Sequence, residues 1–239
     1  MSEETELFTT RMRKATRKIH SLSDALVNAK FAISLRDETV WGGGLFVFYH
    51  IFAFLEDAKA RLNMEDFDKL FFHKILYRKK AFEADLKHYL GEDWQALPKS
   101  AALENYLQHL QDLEKENPRL LMAYVYHLYL GLLSGGQILT KKRKMFGGNT
   151  YEDQVTSFSR VDLEQLKKDF RQKMNEIAMR MSEEEKESLI LESNNVFMMN
   201  NLIVNSVGGQ YQVLRDLALK ASAAACLVAG VVVAYKIHR

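Results

Sequence analysis

Residues 121–140 read LMAYVYHLYLGLLSGGQILT, and this stretch predicts a long helix with an interruption. Its apolar residues have helical spacing, and glycines interrupt them at Gly131, Gly135 and Gly136. Each glycine inside a helix costs about 1 kcal/mol relative to alanine, so some interaction must offset all three. Contact between the helix backbone and a flat ligand, at a bend in the helix, would offset this cost. Close helix–helix packing through small residues, or a simple kink, would explain the glycines equally well.

The remainder of the chain also predicts helices. Only two prolines occur in 239 residues, and no alternating strand pattern has a useful length. We therefore predict an all-α, multi-helix domain of about eight helices over residues 1–215. The expected helices cover residues 10–19, a second helix capped by Ser23 or Asp24, 45–62, 67–90 in two pieces, 101–113, 120–144 with the glycine bend inside, 161–181 and 182–219.

Composition excludes several classes of protein. The 33 Lys and Arg nearly balance the 31 Asp and Glu, whereas a dedicated nucleic-acid binder would carry a strong basic excess. The single cysteine, Cys226, excludes a disulfide framework and a cysteine zinc finger. No histidine pair has HExxH spacing, and the one acidic-x-x-His, Asp85 to His88, lacks the second copy that a di-iron bundle needs. With no phosphate loop and no GxSxG elbow, kinase, hydrolase and di-iron functions have no support.

The C-terminal segment predicts a membrane anchor. Residues 221–235 read ASAAACLVAGVVVAY and carry no charge, and basic residues flank them. Fifteen helical residues span roughly 22 Å of a hydrocarbon core of about 30 Å, and extension back to Leu217 lengthens the helix if Lys220 snorkels to the interface. A buried terminal helix is the alternative, although it would usually show a polar stripe. We expect an anchor over residues 216–239 and a cytosolic domain before it.

Two groups of basic residues could bind an acidic ligand. Arg13, Arg17 and His20 share one face of the first helix, because their spacings are four and three. They could place a histidine ligand beneath a flat cofactor with two cations at its acidic edge, but spacing alone favours a solvated basic face. Lys167 and Arg171, four apart, could close on a carboxylate from the other side. Taken alone, this pair is more typical of an exposed face.

Five segments, in order and separation, resemble the animal-type heme oxygenases over roughly residues 8–210. They are TRKIH around His20, YHIFAFLEDA from Tyr49, RKKAFEADL from Arg78, YLGLLSGGQIL from Tyr129 and FRQKMN from Phe170. The resemblance implies a heme-degrading monooxygenase in which heme b, substrate and cofactor at once, lies between the first helix and the glycine-bent distal helix. It implies cleavage of heme with O2 to biliverdin, carbon monoxide and ferrous iron.

The resemblance also implies a role for individual residues. His20 falls on the proximal iron ligand, and Asp24 on a carboxylate that bonds the other nitrogen of that histidine. The propionates of heme would be held by Arg13, Arg17, Lys167, Arg171 and, at the same edge, Tyr126. The wall that steers O2 over the ring would be Gly131, Gly135 and Gly136. Tyr49, Tyr106 and Asn200 match members of a distal polar network.

The same resemblance implies partners and a location. Electrons would come from NADPH through cytochrome P450 reductase, and biliverdin reductase would take the product. The basic run Lys141, Lys142, Arg143 and Lys144 could dock an acidic flavoprotein, or it could face water or lipid headgroups. The anchor would place the domain on the cytosolic face of the endoplasmic reticulum, with the mitochondrial outer membrane as the alternative. No nucleic-acid partner is expected.

One departure from the family pattern bears on activity. Leu132 stands where the pattern has an aspartate that holds a proton-donating water network, and His127 and Leu128 stand where it has Thr-Arg. Because leucine cannot anchor a water, we expect a substitute relay, carried by Tyr49, Tyr106, Asn200 or His127. The alternative is a heme-binding or heme-sensing protein with little ring-opening activity. A membrane-tethered helical adaptor without a cofactor is a third possibility.

Overall fold

The computed structural model describes residues 6–34, 37–147, 151–159 and 161–208, so the predicted anchor over residues 216–239 lies outside the described residues. Within these ranges the chain forms helices and loops and no strand, which confirms the all-α prediction. The α-helices there are α1 (Phe8–Ser34), α2 (Glu38–Leu62), α3 (Glu65–Leu70), α4 (Lys79–Leu90), α5 (Ala101–Glu116), α6 (Leu121–Gly131), α7 (Gln137–Gly147), α8 (Leu163–Ala178) and α9 (Glu183–Ser206). A π-helical turn, Leu132–Gly136, joins α6 to α7.

The first helix is longer than predicted. The division into a helix over residues 10–19 and a second one capped by Ser23 or Asp24 is wrong, because α1 runs unbroken from Phe8 to Ser34. The Ser23 hydroxyl donates to the carbonyl of Ile19 at 3.0 Å, so it bonds within its own helix and caps nothing. Asp24 is an interior residue whose side chain can reach one turn back.

The second helix begins earlier than predicted, at Glu38 instead of residue 45. Asp37 caps it by accepting from the backbone N–H of Val40 at 3.0 Å, and this cap outweighs the weak propensity of the glycines at residues 42–44. Gly42 has a packing reason, because a Cβ there would lie 2.7 Å from Leu90 Cδ2. The glycine therefore permits the close approach of α2 and α4.

The core is centred on α2 and α6. Ile51 and Leu55 of α2 and Tyr124 of α6 are fully buried. Among the described helices, α2 is the one long and apolar enough to cross a membrane, but 61% of its most apolar window is buried inside the domain. Its apolar character is therefore explained by its central position.

Helix α9 connects α1 with α6, and this arrangement positions the site. Ser182 and Glu185 form a capping box at the start of α9. Arg11 of α1 binds Glu183 at 2.7 Å and Glu187 at 2.6 Å. Further along both helices, α9 packs on α1 and on α6. The predicted histidine and the glycine bend therefore lie on two helices that share one neighbour.

Candidate functional site

His20 of α1 is oriented by a carboxylate one turn further along. Its Nδ1 lies 3.0 Å from Asp24 Oδ2, and its side chain is 55% exposed. Its ring contacts that of Phe197 on α9, with centroids 5.2 Å apart. A proton on Nδ1 that is held by Asp24 leaves the lone pair on Nε2, as a metal-ligating imidazole requires. The structure thus brings His20 and Asp24 together in the predicted geometry, with an accessible ring.

The glycine segment borders open space. A Cβ built at Gly131 or Gly135 would meet no atom of the described residues within 4 Å, whereas one at Gly136 would lie 3.1 Å from Leu132 Cδ1. Close packing against a neighbouring helix therefore does not explain Gly131 and Gly135. The predicted bend is a π-helical turn, a distortion that is frequent at functional sites. The backbone here can accept a flat group without a side chain in the way.

Positive charge from α1 and α8 converges on Tyr126 of α6. Burial raises the pKa of Tyr126 to about 12, and the positive charges of Arg171 and Arg13 and a hydrogen bond with Thr9 oppose this shift. Arg13 and Arg17 are exposed, and no carboxylate partner is found for either within the described part of the chain. Arg171 is exposed, and the one hydrogen bond it makes within the described residues is to the carbonyl of Lys167, at 3.4 Å. These three guanidinium groups are available to an anionic ligand.

Lys167 is less available than its position on α8 predicts. Its ammonium group lies 2.5 Å from Glu164 Oε1, and its side chain is only 13% exposed. An incoming carboxylate would compete with Glu164 for this cation. The structure brings Lys167 and Arg171 to the same face of α8, but only Arg171 lacks a carboxylate partner there.

His127 of α6 lies near His20. Its ring contacts Phe197, at 5.0 Å between centroids, and Tyr126, at 5.1 Å. Its Nε2 is buried and has no hydrogen-bond partner among the residues that the structure describes. Burial, and secondarily the charge of His20, lowers the pKa of His127 to about 3, so the imidazole is neutral at pH 7.

A buried polar network occupies the interface of α5, α6 and α9. Tyr106 donates to Asn200 Oδ1 at 3.0 Å, which brings together two residues of the predicted distal network. Glu192 accepts from Tyr124 and lies 2.8 Å from His109 Nε2. The sequence reasoning did not select these three residues. Glu192 shares a helix face with Leu189 and Val196, and that spacing could have indicated a buried carboxylate.

The family model described as "Heme oxygenase" matches residues 6–206.

The chain belongs to the heme oxygenase family. It is 28% identical to bovine heme oxygenase 1 over 209 residues, which are 83% of this chain and 70% of the relative. The heme-free crystal structure of heme oxygenase 2 from Chlamydomonas reinhardtii superposes with a TM-score of 0.75 at 32% identity, covering 85% of this chain and 98% of that one. Heme oxygenase-1 from Synechocystis, solved in complex with heme, gives a TM-score of 0.78 at 25% identity, covering 92% and 99%.

None of the contacts described for Tyr49 joins it to another site residue of this heme oxygenase. Its hydroxyl donates to Glu83 Oε1 at 3.2 Å, and its ring packs on Trp94 at 4.8 Å. Burial, followed by the charge of Glu83, raises the pKa of Tyr49 to about 12. Its described contacts join α2 to α4 and the following turn. A part for Tyr49 in a proton relay stays a prediction.

The basic run on α7 is smaller than its sequence suggests. The inclusion of Arg143 in an exposed docking patch is wrong, because its side chain is 4% exposed and pairs with Asp153 at 3.5 Å. Its guanidinium also donates to the Tyr89 hydroxyl at 2.7 Å. Lys142 donates to Asn28 Oδ1 at 2.8 Å. Lys141 and Lys144 are exposed.

Leu132 forms part of the π-helical turn. It is half-buried and packs against the hydrophobic core, beside Gly136. The family pattern has an aspartate at this position. The side chain of Leu132 can neither donate nor accept a hydrogen bond. Any proton donor in this heme oxygenase must come from another residue.

Proposed function

We propose that this chain is a heme oxygenase that cleaves heme with O2 and reductase-supplied electrons, giving biliverdin, carbon monoxide and ferrous iron. The observation that carries the proposal is His20, whose Nδ1 is held by Asp24 while its ring stays accessible. In the family to which the chain belongs, Synechocystis heme oxygenase-1 has been solved with heme.

The residues of the site fit heme on three independent grounds. His20 Nε2 offers a lone pair, and the backbone at Gly131 and Gly135 offers a surface without side chains. Arg13 and Arg171, both near Tyr126, offer positive charge to the propionates. Heme, when bound, supplies the iron that binds and activates O2.

The protein's own contribution is to hold the ring, orient it and supply protons. Arg13, Arg17 and Arg171 would bind the propionates and so orient the ring relative to His20 and the π-helical turn. Tyr106 and Asn200 form a hydrogen-bonded pair, and partly exposed His109 connects buried Glu192 with solvent. We infer that these groups, and not residue 132, return protons to the site.

The second candidate function is heme binding or heme sensing with little ring opening, and Leu132 is the observation that favours it. Single-turnover reactions of the hemin-loaded chain with ascorbate or a reductase under O2 separate the two. Release of biliverdin and carbon monoxide supports the oxygenase, whereas hemin that persists unchanged supports the binder. If hemin gives no stoichiometric Soret band, or if His20→Ala leaves the band unaltered, both heme functions fail and the adaptor remains.

Leu132→Asp is the most informative variant for this choice. A carboxylate in the π-helical turn can hold a water and deliver protons, so we expect ring opening to accelerate by about tenfold or more. Leu132→Asn, which is similar in size but cannot be ionised, is the matched control. Equal rates of biliverdin formation in the natural chain and in Leu132→Asp would mean that protons arrive by a route that bypasses this position.

We also propose the redox partners and the membrane location that the sequence predicts. Electrons would pass from NADPH through cytochrome P450 reductase, which would dock at Lys141 and Lys144, and biliverdin reductase would consume the product. The uncharged residues 221–235 support an anchor in the endoplasmic reticulum membrane, with the catalytic domain on its cytosolic face. Co-fractionation of the full chain with membranes at high salt tests the anchor.

A further inference from the structure

We propose that His127 is a second axial ligand of the iron, opposite His20, in the resting heme complex. This inference rests on the proposed function and adds regulation to the same site. If His127 binds iron, O2 and other external ligands must displace it before they can bind.

The two histidines contact the same aromatic ring, which limits the distance between them. Both imidazoles contact the ring of Phe197, at 5.2 Å for His20 and 5.0 Å for His127, so their centroids are at most about 10 Å apart. Metal–nitrogen bonds of about 2 Å on each side place two axial imidazole centroids roughly 6 Å apart. A side-chain rotation of His127, or a small shift of α6 ahead of the π-helical turn, covers the difference.

The chemistry of His127 also favours ligation. A buried ring nitrogen without a hydrogen-bond partner is unfavourable, and a bond to iron would satisfy it. An imidazole nitrogen that makes no described hydrogen bond keeps its lone pair available to a metal.

His50 also has an unpartnered ring nitrogen, but it lies in different surroundings. Its Nε2 is likewise buried without a partner, but its ring packs on Phe46 and Tyr49 of its own helix. No described ring contact joins it to His20 or to Phe197. His50 is therefore the matched control for any variant of His127.

The test is spectroscopy of the full chain loaded with hemin. Ligation by His127 predicts a low-spin ferric complex with the electron paramagnetic resonance signature of two imidazoles, unchanged from mildly acidic to alkaline pH. His127→Leu should give a high-spin complex, and azide should bind it about tenfold more tightly, because no internal ligand must leave first. His50→Leu should keep the low-spin spectrum and the natural azide affinity.

Several results would overturn the inference. A high-spin natural complex, a low-spin form that appears only at alkaline pH through hydroxide, or a low-spin His127→Leu complex would each do so. If His127→Leu does not fold by circular dichroism, His127→Gln replaces it, and the resonance spectrum of the natural chain decides independently of either. A stoichiometric Soret band with a high-spin spectrum refutes this inference alone, whereas the absence of that band refutes the proposed function as well.

Discussion

At the scale of single residues, two glycines and one histidine of the site lack the packing or hydrogen-bond partners that such residues usually have. Within the described part of the chain, no atom lies near the position of a Cβ at Gly131 or Gly135, and His127 Nε2 has no hydrogen-bond partner. Both situations are unfavourable for the isolated domain. Several residues that lower the stability of the domain at one site indicate a bound group that offsets the loss. Variants of these residues can separate effects on stability from effects on ligand binding.

Gly135→Ala should have opposite effects on stability and on heme binding. The added methyl group meets open space and favours the helical backbone, so the heme-free domain should gain up to about 1 kcal/mol of unfolding free energy. The same methyl group projects toward the bound macrocycle, so hemin affinity should fall and the distribution of biliverdin isomers should change. Urea denaturation, hemin titration and product chromatography measure these effects.

Gly136→Ala is the matched control for this variant. A Cβ at residue 136 lies 3.1 Å from Leu132 Cδ1, so stability should gain less than in Gly135→Ala. A stabilised Gly135→Ala domain with unaltered hemin affinity would show that heme does not lie against this backbone.

His50 gives a prediction for the pH dependence of stability. Burial, and secondarily the charge of Lys99, lowers the pKa of His50 from 6.5 to about 4. Between these two pH values the unfolded chain binds more protons than the folded one, so stability falls as the pH decreases. From pH 7 to pH 5 this group should cost up to about 2 kcal/mol, which His50→Leu should remove.

The measurement is urea denaturation of the heme-free chain at both pH values. His88→Gln is the control, because His88 is exposed. An equal loss of stability in the natural chain and in His50→Leu would place the acid-sensitive group elsewhere.

At the scale of elements, the sequence predicts helix ends where local chemistry determines them. Ser100 caps α5 by accepting from Leu103 N, and the capping box of Ser182 opens α9. Ser23 misled the prediction because a serine can also bond the preceding turn of its own helix. The choice between these two roles depends on how α1 packs on α8 and α9, which local sequence does not encode.

For the candidate site as well, the sequence predicts contacts within one helix but not contacts between elements. The spacing of His20 and Asp24 determines their contact, since residues four apart in a helix are neighbours. The burial of Arg143 was not predictable from its basic neighbours, because Asp153 and Tyr89 reach it from a loop and another helix. The contact of His127 with Phe197 likewise depends on how α6 crosses α9.

Helix α7 gives a prediction about electron transfer. Lys141 and Lys144 are the exposed cations of the basic run, so replacing both with glutamate should raise KM for the reductase several-fold at low salt. High salt should remove most of the difference, since screening weakens surface charge interactions. Turnover driven by ascorbate should be unaffected.

Lys115→Glu on α5 is the control for a change of surface charge, because Lys115 is also exposed. If it raises KM as much as the α7 variant, net charge and not a local docking surface sets the affinity for the reductase.

At the scale of the whole molecule, the site has two walls: α1, which carries His20, and α6 with the π-helical turn that follows it. These two walls are joined mainly through α9. Arg11 and His20 attach α1 to α9, and Tyr124 and His127 attach α6 to the same helix. A ligand that contacts both His20 and the glycine turn would connect these walls directly. Binding of heme should therefore stabilise both walls together, and not one wall at a time.

Hydrogen exchange of the backbone amides measures this coupling. Hemin in hundredfold excess over its dissociation constant should add about 2.7 kcal/mol to the unfolding free energy. Slower exchange should be concentrated in α1 around residue 20 and in the turn over residues 131–136, since both contact the ligand. His20→Ala should reduce the protection of both segments, because the loss of the iron bond weakens a single binding event that both walls share. Protection of α1 with unchanged exchange at the turn would mean that heme lies against α1 alone, and the glycine turn would need another explanation.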